Sequence, residues 1–346
     1  MARKNYSVQA SDAGTSVRPT WLDLHHEDAI QPELPIVDAH HHLWDREGSI
    51  YLADEFYADA QSGHSIKSSV YIEARAMYRD YGPEEFRSIG EVEFARGMAA
   101  IGASGLYGPG RIAAGIVGMA DLRRPNAEDI LLRLAAAGGE RFRGVRHVAA
   151  YDADERVSRR YASLPCGLLG NEDFQRGFAS LQRLGMSFDA FILHPQLREL
   201  TALATRFPDA AIVLDHLGTP LGLGIYAGRR DEVFRDWRDG MRELSRCPNV
   251  FVKLSGLGMV LFGFGFHERP QPPSSEELRD AWSRYILTTI ELFGVERCMF
   301  ASNFPPDKGS CSYTVLWNAF KLIVSDFTAE ERARLFCGSA ETFYRL

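Results

Sequence analysis

Short runs of apolar and β-branched residues recur along the chain and alternate with longer stretches in which apolar residues follow helical spacing. Runs that are apolar on both faces are typical of a parallel sheet covered by helices. Eight such runs, each followed by a helical stretch, favour a closed α/β fold, the TIM (β/α)8 barrel. The predicted strands are residues 35–39, 69–73, 112–119, 142–148, 190–193, 211–214, 250–254 and 298–301.

Capping residues mark several of the helices between these strands. Asn171 is placed to cap a helix over residues 171–184 that Gly185 ends. Thr328 followed by Glu331 forms a capping-box pattern at the start of a helix over residues 328–336. The remaining predicted helices are residues 197–207, 229–245 and 275–293.

Residues 1–34 are polar and punctuated by proline, so we predict an N-terminal arm before a barrel domain over residues 35–346. The tip of the arm is expected to be disordered. A competing architecture is an open doubly wound sheet. That fold needs a glycine-rich phosphate-binding turn after its first strand, and histidines stand there instead.

Composition narrows the function classes. The formal net charge of −7 argues against a nucleic-acid partner, because such proteins carry a basic excess. No apolar run approaches the roughly 20 residues that span a bilayer, so no membrane partner is expected. The five cysteines are scattered and form no CxxC pair, which favours a reducing cytoplasm. The expected partner is a small molecule, and a homo-oligomer stays open.

Histidines stand at the ends of three predicted strands. Residues two apart in a strand point the same way, so His40 and His42 can face one point while His41 faces away. Two converging imidazoles are half of a divalent-metal site. His194 and His216 end two later strands, and barrel enzymes carry their functional residues at these strand ends. The alternative for each histidine alone is a packed or solvated side chain.

The segments PIVDAHHHLWD, RGVRH, LHPQL, LDHLG and SAETFYRL resemble the metal-dependent amidohydrolase superfamily over about residues 34–346. They are most similar to its amidohydrolase-2 branch, which includes sugar-lactone and 2-pyrone-4,6-dicarboxylate lactonases. The resemblance implies a distorted TIM barrel whose active site lies at its C-terminal face. It also implies that His40, His42 and His194 are metal ligands, and that His216 binds a second metal or polarises the substrate.

One position departs from that family pattern. The superfamily's eighth strand normally ends in an aspartate that ligates metal and accepts a proton from water, and this chain has Asn303 there. An amide cannot act as a general base. The catalytic base is then another group, with Asp307, Glu73 and His216 as candidates. We expect at most one divalent metal, zinc or manganese, or none, as in relatives of this branch that act without metal.

Two cations inside family-like strand motifs, Arg146 and Lys253, are predicted to bind an anionic substrate, although structural ion pairs are the alternative. The resulting expectation is a hydrolase of small cyclic esters, in which water attacks a carbonyl polarised by a metal or by histidine. Two other functions stay open. One is a non-oxidative decarboxylase of a small aromatic or unsaturated acid, and the other is an inactive barrel that binds a small ligand.

Overall fold

The computed structural model describes residues 16–158 and 164–346. Eight parallel strands form one sheet, in the order β1-β4-β5-β6-β7-β8-β9-β10, and helices surround it, so the predicted TIM-barrel fold is confirmed. A separate antiparallel hairpin, β2 with β3, follows the first strand. The strands are β1 (Pro35–His41), β2 (Trp44–Arg46), β3 (Ser49–Tyr51), β4 (Ser65–Ile72), β5 (Arg111–Gly118), β6 (Phe142–Arg146), β7 (Ser187–Ala190), β8 (Ile212–Leu214), β9 (Val250–Leu254) and β10 (Cys298–Phe300).

One predicted strand is displaced. The fifth barrel strand, β7, precedes the apolar run at residues 190–193 and overlaps it only at Ala190. Its sequence contains Ser187 and Asp189, which hid the strand from a search for apolar runs. Both side chains are nevertheless buried, and Asp189 pairs with a buried lysine.

The barrel closes at the end of the first strand. His41 of β1 forms a parallel bridge with Phe304, just beyond β10. The amide of Asn303 donates to the carbonyl of His40 at 2.8 Å, and the amide of His42 donates to the carbonyl of Phe304 at 2.8 Å. This seam therefore holds the end of the eighth barrel strand beside the histidines of the first.

Helices cover the outside of the barrel. The predicted caps are present: the Asn171 side chain accepts from the amide of Phe174 at 3.0 Å, and Thr328 and Glu331 form the capping box. The last predicted helix continues through a π-helical turn. The helices are α1 (Pro19–Leu22), α2 (Ala53–Ala60), α3 (Ile89–Ala103), α4 (Ala127–Gly138), α5 (Glu155–Ser158), α6 (Glu172–Arg183), α7 (Leu197–Arg206), α8 (Arg230–Leu244), α9 (Ser275–Phe293), α10 (Tyr313–Ile323), α11 (Ala329–Ala333) and α12 (Ser339–Tyr344).

The apolar core has two parts. The larger lies between the sheet and the helices, and the smaller fills the barrel interior with alternate strand residues such as Val37, Val117 and Met299. Phe343 and Tyr344 of α12 pack into this inner cluster. The chain's last helix therefore contributes to the barrel interior beneath the strand ends.

Residues 16–34, which we call the N-terminal strap, pack against late parts of the chain. The Trp21 indole donates to the carbonyl of Arg269 at 2.9 Å, and Glu27 accepts from the amide of Ser275 at 2.7 Å. The expected disorder of the arm's tip concerns residues 1–15, which lie outside the described residues. Within the described ranges, no helix combines the length and the apolar character needed to cross a membrane.

Candidate active site

His40, in β1, and His42, one residue beyond its end, lie side by side, as the alternation argument predicts. His40 Nε2 and His42 Nε2 are 3.2 Å apart, and His42 Nδ1 lies 2.9 Å from the carbonyl of Ile72. That carbonyl can only accept, so His42 carries a proton on Nδ1 and presents a lone pair at Nε2. Burial lowers the pKa of both histidines well below the usual range, and both rings are therefore neutral at pH 7.

A buried ammonium fixes the tautomer of His40. Lys253 Nζ donates to Asp189 Oδ2 at 2.5 Å and lies 3.1 Å from His40 Nδ1. It also forms an ion pair with Asp215 Oδ1 at 3.1 Å. Because an ammonium has no lone pair, His40 Nδ1 accepts from Lys253, and we assign the ring proton to Nε2. Arg146 Nη1, which can only donate, lies farther away, at 3.4 Å from His40 Nε2. The hydrogen bonds then follow one direction. Lys253 donates to His40, His40 donates to His42, and His42 donates to the carbonyl of Ile72.

A second buried cation lies beside these rings. Arg146 Nε donates to Glu73 Oε1 at 2.7 Å, and Nη2 donates to the Glu73 carbonyl. Arg146 Nη1 lies 3.5 Å from Asp215 Oδ2. The pKa of Arg146 is raised, because the attraction of Glu73 and Asp215 outweighs the opposing effect of burial. The guanidinium is thus charged and rigidly held.

His216 completes the cluster of imidazoles. Its ring centroid is 4.5 Å from that of His40, and its Nδ1 lies 2.9 Å from Ser255 Oγ. Burial lowers the pKa of His216 to about 3, so this ring is also neutral. Its backbone is left-handed, with φ of 53°, an uncommon conformation for a residue other than glycine.

Asn303 and Asp307 form a unit after β10. Asn303 Nδ2 donates to Asp307 Oδ1 at 2.8 Å, and the amide of Gly258 donates to Asp307 Oδ2 at 3.1 Å. Burial raises the pKa of Asp307 to about 7, against the two hydrogen bonds that lower it. The bond from Nδ2 turns the other end of the Asn303 amide, its oxygen, away from Asp307.

Two of the strand-end histidines are directed elsewhere. His41 Nε2 lies 3.0 Å from Ser69 Oγ, and its ring packs on Phe56 of α2, so it faces away from the cluster as predicted. The structure does not bring His194 into the cluster. Its Nδ1 accepts from the amide of Leu221 at 3.3 Å and its ring meets Tyr226 edge-on.

A cavity of about 890 Å³ opens at the carboxyl ends of the strands. Among the site residues, its wall includes His42, Glu73, Arg146, His216 and Asn303. The cluster members that lie fully buried behind this wall are His40, Lys253, Asp215, Asp189 and Asp307.

The outer part of the cavity is formed by two segments that do not belong to the barrel. The N-terminal strap contributes several residues between Ser16 and Glu27, and the β2–β3 hairpin contributes Trp44 and residues 46–51. The mouth of the barrel is therefore partly enclosed by the strap.

The Amidohydrolase family model (Amidohydro_2) matches residues 37–346. The chain belongs to the amidohydrolase family. Uncharacterized protein y4mH of Sinorhizobium fredii is 32% identical over 336 residues, which are 91% of this chain and 99% of that protein. L-fucono-1,5-lactonase of Burkholderia multivorans is 29% identical over 324 residues, which are 90% of this chain and 96% of that protein. Among solved structures, an amidohydrolase from Burkholderia multivorans with bound zinc has a TM-score of 0.70 at 26% identity, covering 90% of this chain and 99% of that one.

The candidate ligand atoms in this amidohydrolase site can be compared with what a bound metal ion requires. By spacing alone, His40, Asp215 and His216 could hold one ion, because their ligand atoms lie within 4.8 Å of one another. A ligating histidine normally donates its other ring N–H to an acceptor. His42 does so, but His40 faces the Lys253 ammonium and carries its proton on Nε2. As hydrogen-bonded here, the His40–His42 pair does not fit a shared metal ion.

Residue patterns missed part of this amidohydrolase site. Asp215 was not singled out, because an aspartate before a strand-end histidine has no distinctive spacing, and Asp189 lay outside the predicted strand. Lys253 was predicted to bind substrate, but it is fully buried and does not line the cavity. The signal that could have found them is the position of Asp189 in β7 and of Asp215 directly after β8, because these strands are the sheet neighbours that lead to the Lys253 strand.

Proposed function

We propose that this amidohydrolase hydrolyses a small lactone at the mouth of its barrel. The family match and the similarity to proteins named L-fucono-1,5-lactonase support this proposal. The observation that carries it is that His216, Arg146 and Asn303 line one cavity. Attack of water on an ester requires a neutral base, a fixed cation and a hydrogen-bond acceptor for the water, all facing the same cavity.

Arg146 stabilises the charge that develops on the carbonyl oxygen. Glu73 holds the guanidinium through both its carboxylate and its backbone carbonyl, so the cation is oriented before the substrate arrives. A preorganised donor of this kind typically contributes about a hundredfold or more in rate. Arg146 is only 6% exposed, so little water competes for the guanidinium.

Asn303 and His216 act on the attacking water. Asp307 fixes the Asn303 amide, so that its oxygen accepts a hydrogen bond from water, and His216 takes the proton as water attacks. Ser255 holds Nδ1 of His216, which assigns the proton transfer to Nε2. Asp307 is a positioning residue, because it is fully buried and lies behind the cavity wall.

The step balances without a metal. A bond forms between the water oxygen and the lactone carbonyl carbon, while the water proton moves to His216. The bond from that carbon to the ring oxygen then breaks, and the ring oxygen takes the proton from His216. The product is a hydroxy acid, which ionises and releases one proton to the medium.

A panel of five- and six-membered lactones with a pH-indicator readout tests the proposal. We expect His216→Asn to lose at least about a hundredfold in rate, the low end of a general-base contribution. Asparagine is chosen because it tolerates the left-handed backbone at this position. His194→Asn is the matched control, since His194 also follows a barrel strand but does not line the cavity, and it should keep most of the turnover.

Two results would overturn the proposal. If the wild-type protein cleaved no lactone but released CO₂ from an aromatic acid, the site would be that of a decarboxylase. If His194→Asn were as inactive as His216→Asn, the metal-ligand role that the family resemblance implies for His194 would be correct and the base assignment wrong.

A further inference from the structure

One cation in the cavity wall has no ion-pair or hydrogen-bond partner for its side chain among the described residues. Arg75 follows β4 and lines the cavity, with its side chain half-buried. Among the described residues, no carboxylate, carbonyl or aromatic ring contacts its guanidinium. A partly desolvated guanidinium without an acceptor is a ready binding group for an anion, because its five donors match a carboxylate in a bidentate fork.

The other arginine and lysine side chains of the same wall each have an ion-pair or hydrogen-bond partner. Arg146 is paired with Glu73. Lys308 donates to both carboxylate oxygens of Asp59, at 2.8 and 2.7 Å. Arg46 donates to the carbonyl of Ala74 and stacks over Trp44, 4.2 Å from the ring centroid. Arg75 is therefore the cavity cation available for a ligand, within the part of the chain that the structure describes.

The backbone at Arg75 is held in a costly conformation. Its φ is 54°, a left-handed value that is unfavourable for any residue with a side chain as large as arginine. The Arg75 amide donates to Glu73 Oε2 at 3.2 Å. Glu91, fully buried in α3, accepts from the amides of Ala74 at 2.7 Å and Ala76 at 3.0 Å. Two buried glutamate side chains thus clamp three consecutive amides, and the clamp presents the Arg75 side chain to the cavity.

We propose that Arg75 binds a carboxylate group of the substrate, and that the lactone this enzyme prefers is therefore an anionic one. This inference rests on the proposed lactone hydrolysis and adds the substrate class. Arg146 stabilises the reacting carbonyl, while Arg75 holds a carboxylate elsewhere on the ring. Glu73 links the two arginines, since its carboxylate accepts from the Arg146 guanidinium and from the backbone amide of Arg75.

Charge-matched pairs of lactones test the substrate class. Each pair consists of a lactone carboxylate and its methyl ester, and the readout is the ratio of their kcat/KM values. We expect the wild-type protein to prefer the carboxylate, and Arg75→Gln to lower the ratio by about 10- to 100-fold, the range for a charged hydrogen bond. Arg75→Lys should recover part of it. Arg198→Gln, which removes a charge from a side chain 84% exposed, is the control and should keep the wild-type ratio.

Calorimetric titration with glutarate, a dicarboxylate that cannot be hydrolysed, separates this inference from the proposed function. Binding to wild-type protein that weakens at least tenfold in Arg75→Gln supports the anion site even if no lactone is cleaved. If lactones are cleaved with equal ratios in wild-type and Arg75→Gln, lactone hydrolysis stands and the Arg75 proposal is overturned. Glutarate binding that is unchanged by Arg75→Gln would overturn it as well.

Discussion

Replacing Lys253 by methionine should weaken the fold and create a metal site in the same step. Methionine keeps the length of the side chain but removes the ammonium. Asp189 then keeps one donor, the Tyr344 hydroxyl at 2.7 Å, and Asp215 keeps the Arg146 ion pair at 3.5 Å and its contact with His40 Nδ1 at 3.4 Å. Removing one partner of a buried ion pair typically costs about 3–5 kcal/mol. That is a large part of the roughly 5–15 kcal/mol that stabilises an ordinary domain.

The same change alters the tautomer of His40. Without the ammonium, His40 Nδ1 can donate to Asp215 Oδ1, which lies 3.4 Å away. Its Nε2 then presents a lone pair 3.2 Å from that of His42 Nε2, a spacing that suits two ligands at about 2.0–2.1 Å from one zinc ion. Lys253→Met should therefore bind zinc more tightly than the wild-type protein, at least tenfold by competition with a fluorescent chelator.

Two variants keep this prediction testable. Lys321→Met also removes a buried lysine, one that donates to the carbonyls of Ile30 and Gln31, so it should lose stability without gaining zinc affinity. Lys253→Met combined with Asp189→Asn removes one charge of each sign and should recover part of the lost stability. If zinc affinity in Lys253→Met equals that of the wild-type protein, the tautomer assignment of His40 is wrong.

Three further perturbations follow from the structure. Burial raises the pKa of Asp307 from 3.8 to about 7. Between these two values the folded protein holds a proton that the unfolded chain has released. The free energy of unfolding should therefore fall as pH rises from about 4 to about 7. Asp307→Asn should reduce this dependence of the free energy of unfolding on pH, as measured by urea unfolding. An unchanged dependence would contradict the prediction. Asn303→Asp introduces the carboxylate that the family resemblance implies at this position, so zinc content by elemental analysis should rise or stay level. A decrease would refute our account of that position. Trp21→Ala removes the strap's hydrogen bond to Arg269 and should raise KM more than it lowers kcat, with circular dichroism to check the fold.

The barrel was predictable because its signals are local. An apolar strand, a capping asparagine and a terminal glycine each depend on a few neighbouring residues. The placement of His40 and His42 was predictable for the same reason, since His40 lies in the last residues of β1 and His42 directly follows the strand. His194 shows the limit of this reasoning. β7 ends at Ala190, so His194 lies four residues past the strand in a 3₁₀ turn, where alternation no longer predicts which way a side chain points.

The charges of the site were less predictable, because their meaning depends on distant partners. Lys253 could not be distinguished from a substrate-binding lysine until Asp189, Asp215 and His40 were seen around it. The three partners come from β7, the end of β8 and β1, and only closure of the barrel brings them together.

The strap has a consequence for how the protein assembles. Trp21 and Glu27 find their partners 248 residues later in the chain, and Ile30 finds its partner, Asn318, 288 residues later. During synthesis, these three hydrogen bonds therefore cannot form until the last quarter of the chain has been made. At about 5–20 residues per second, that wait is on the order of ten seconds to a minute. The wall of the cavity is then completed after most of the barrel strands exist, so a ribosome-bound chain lacking its last helices would have an open mouth.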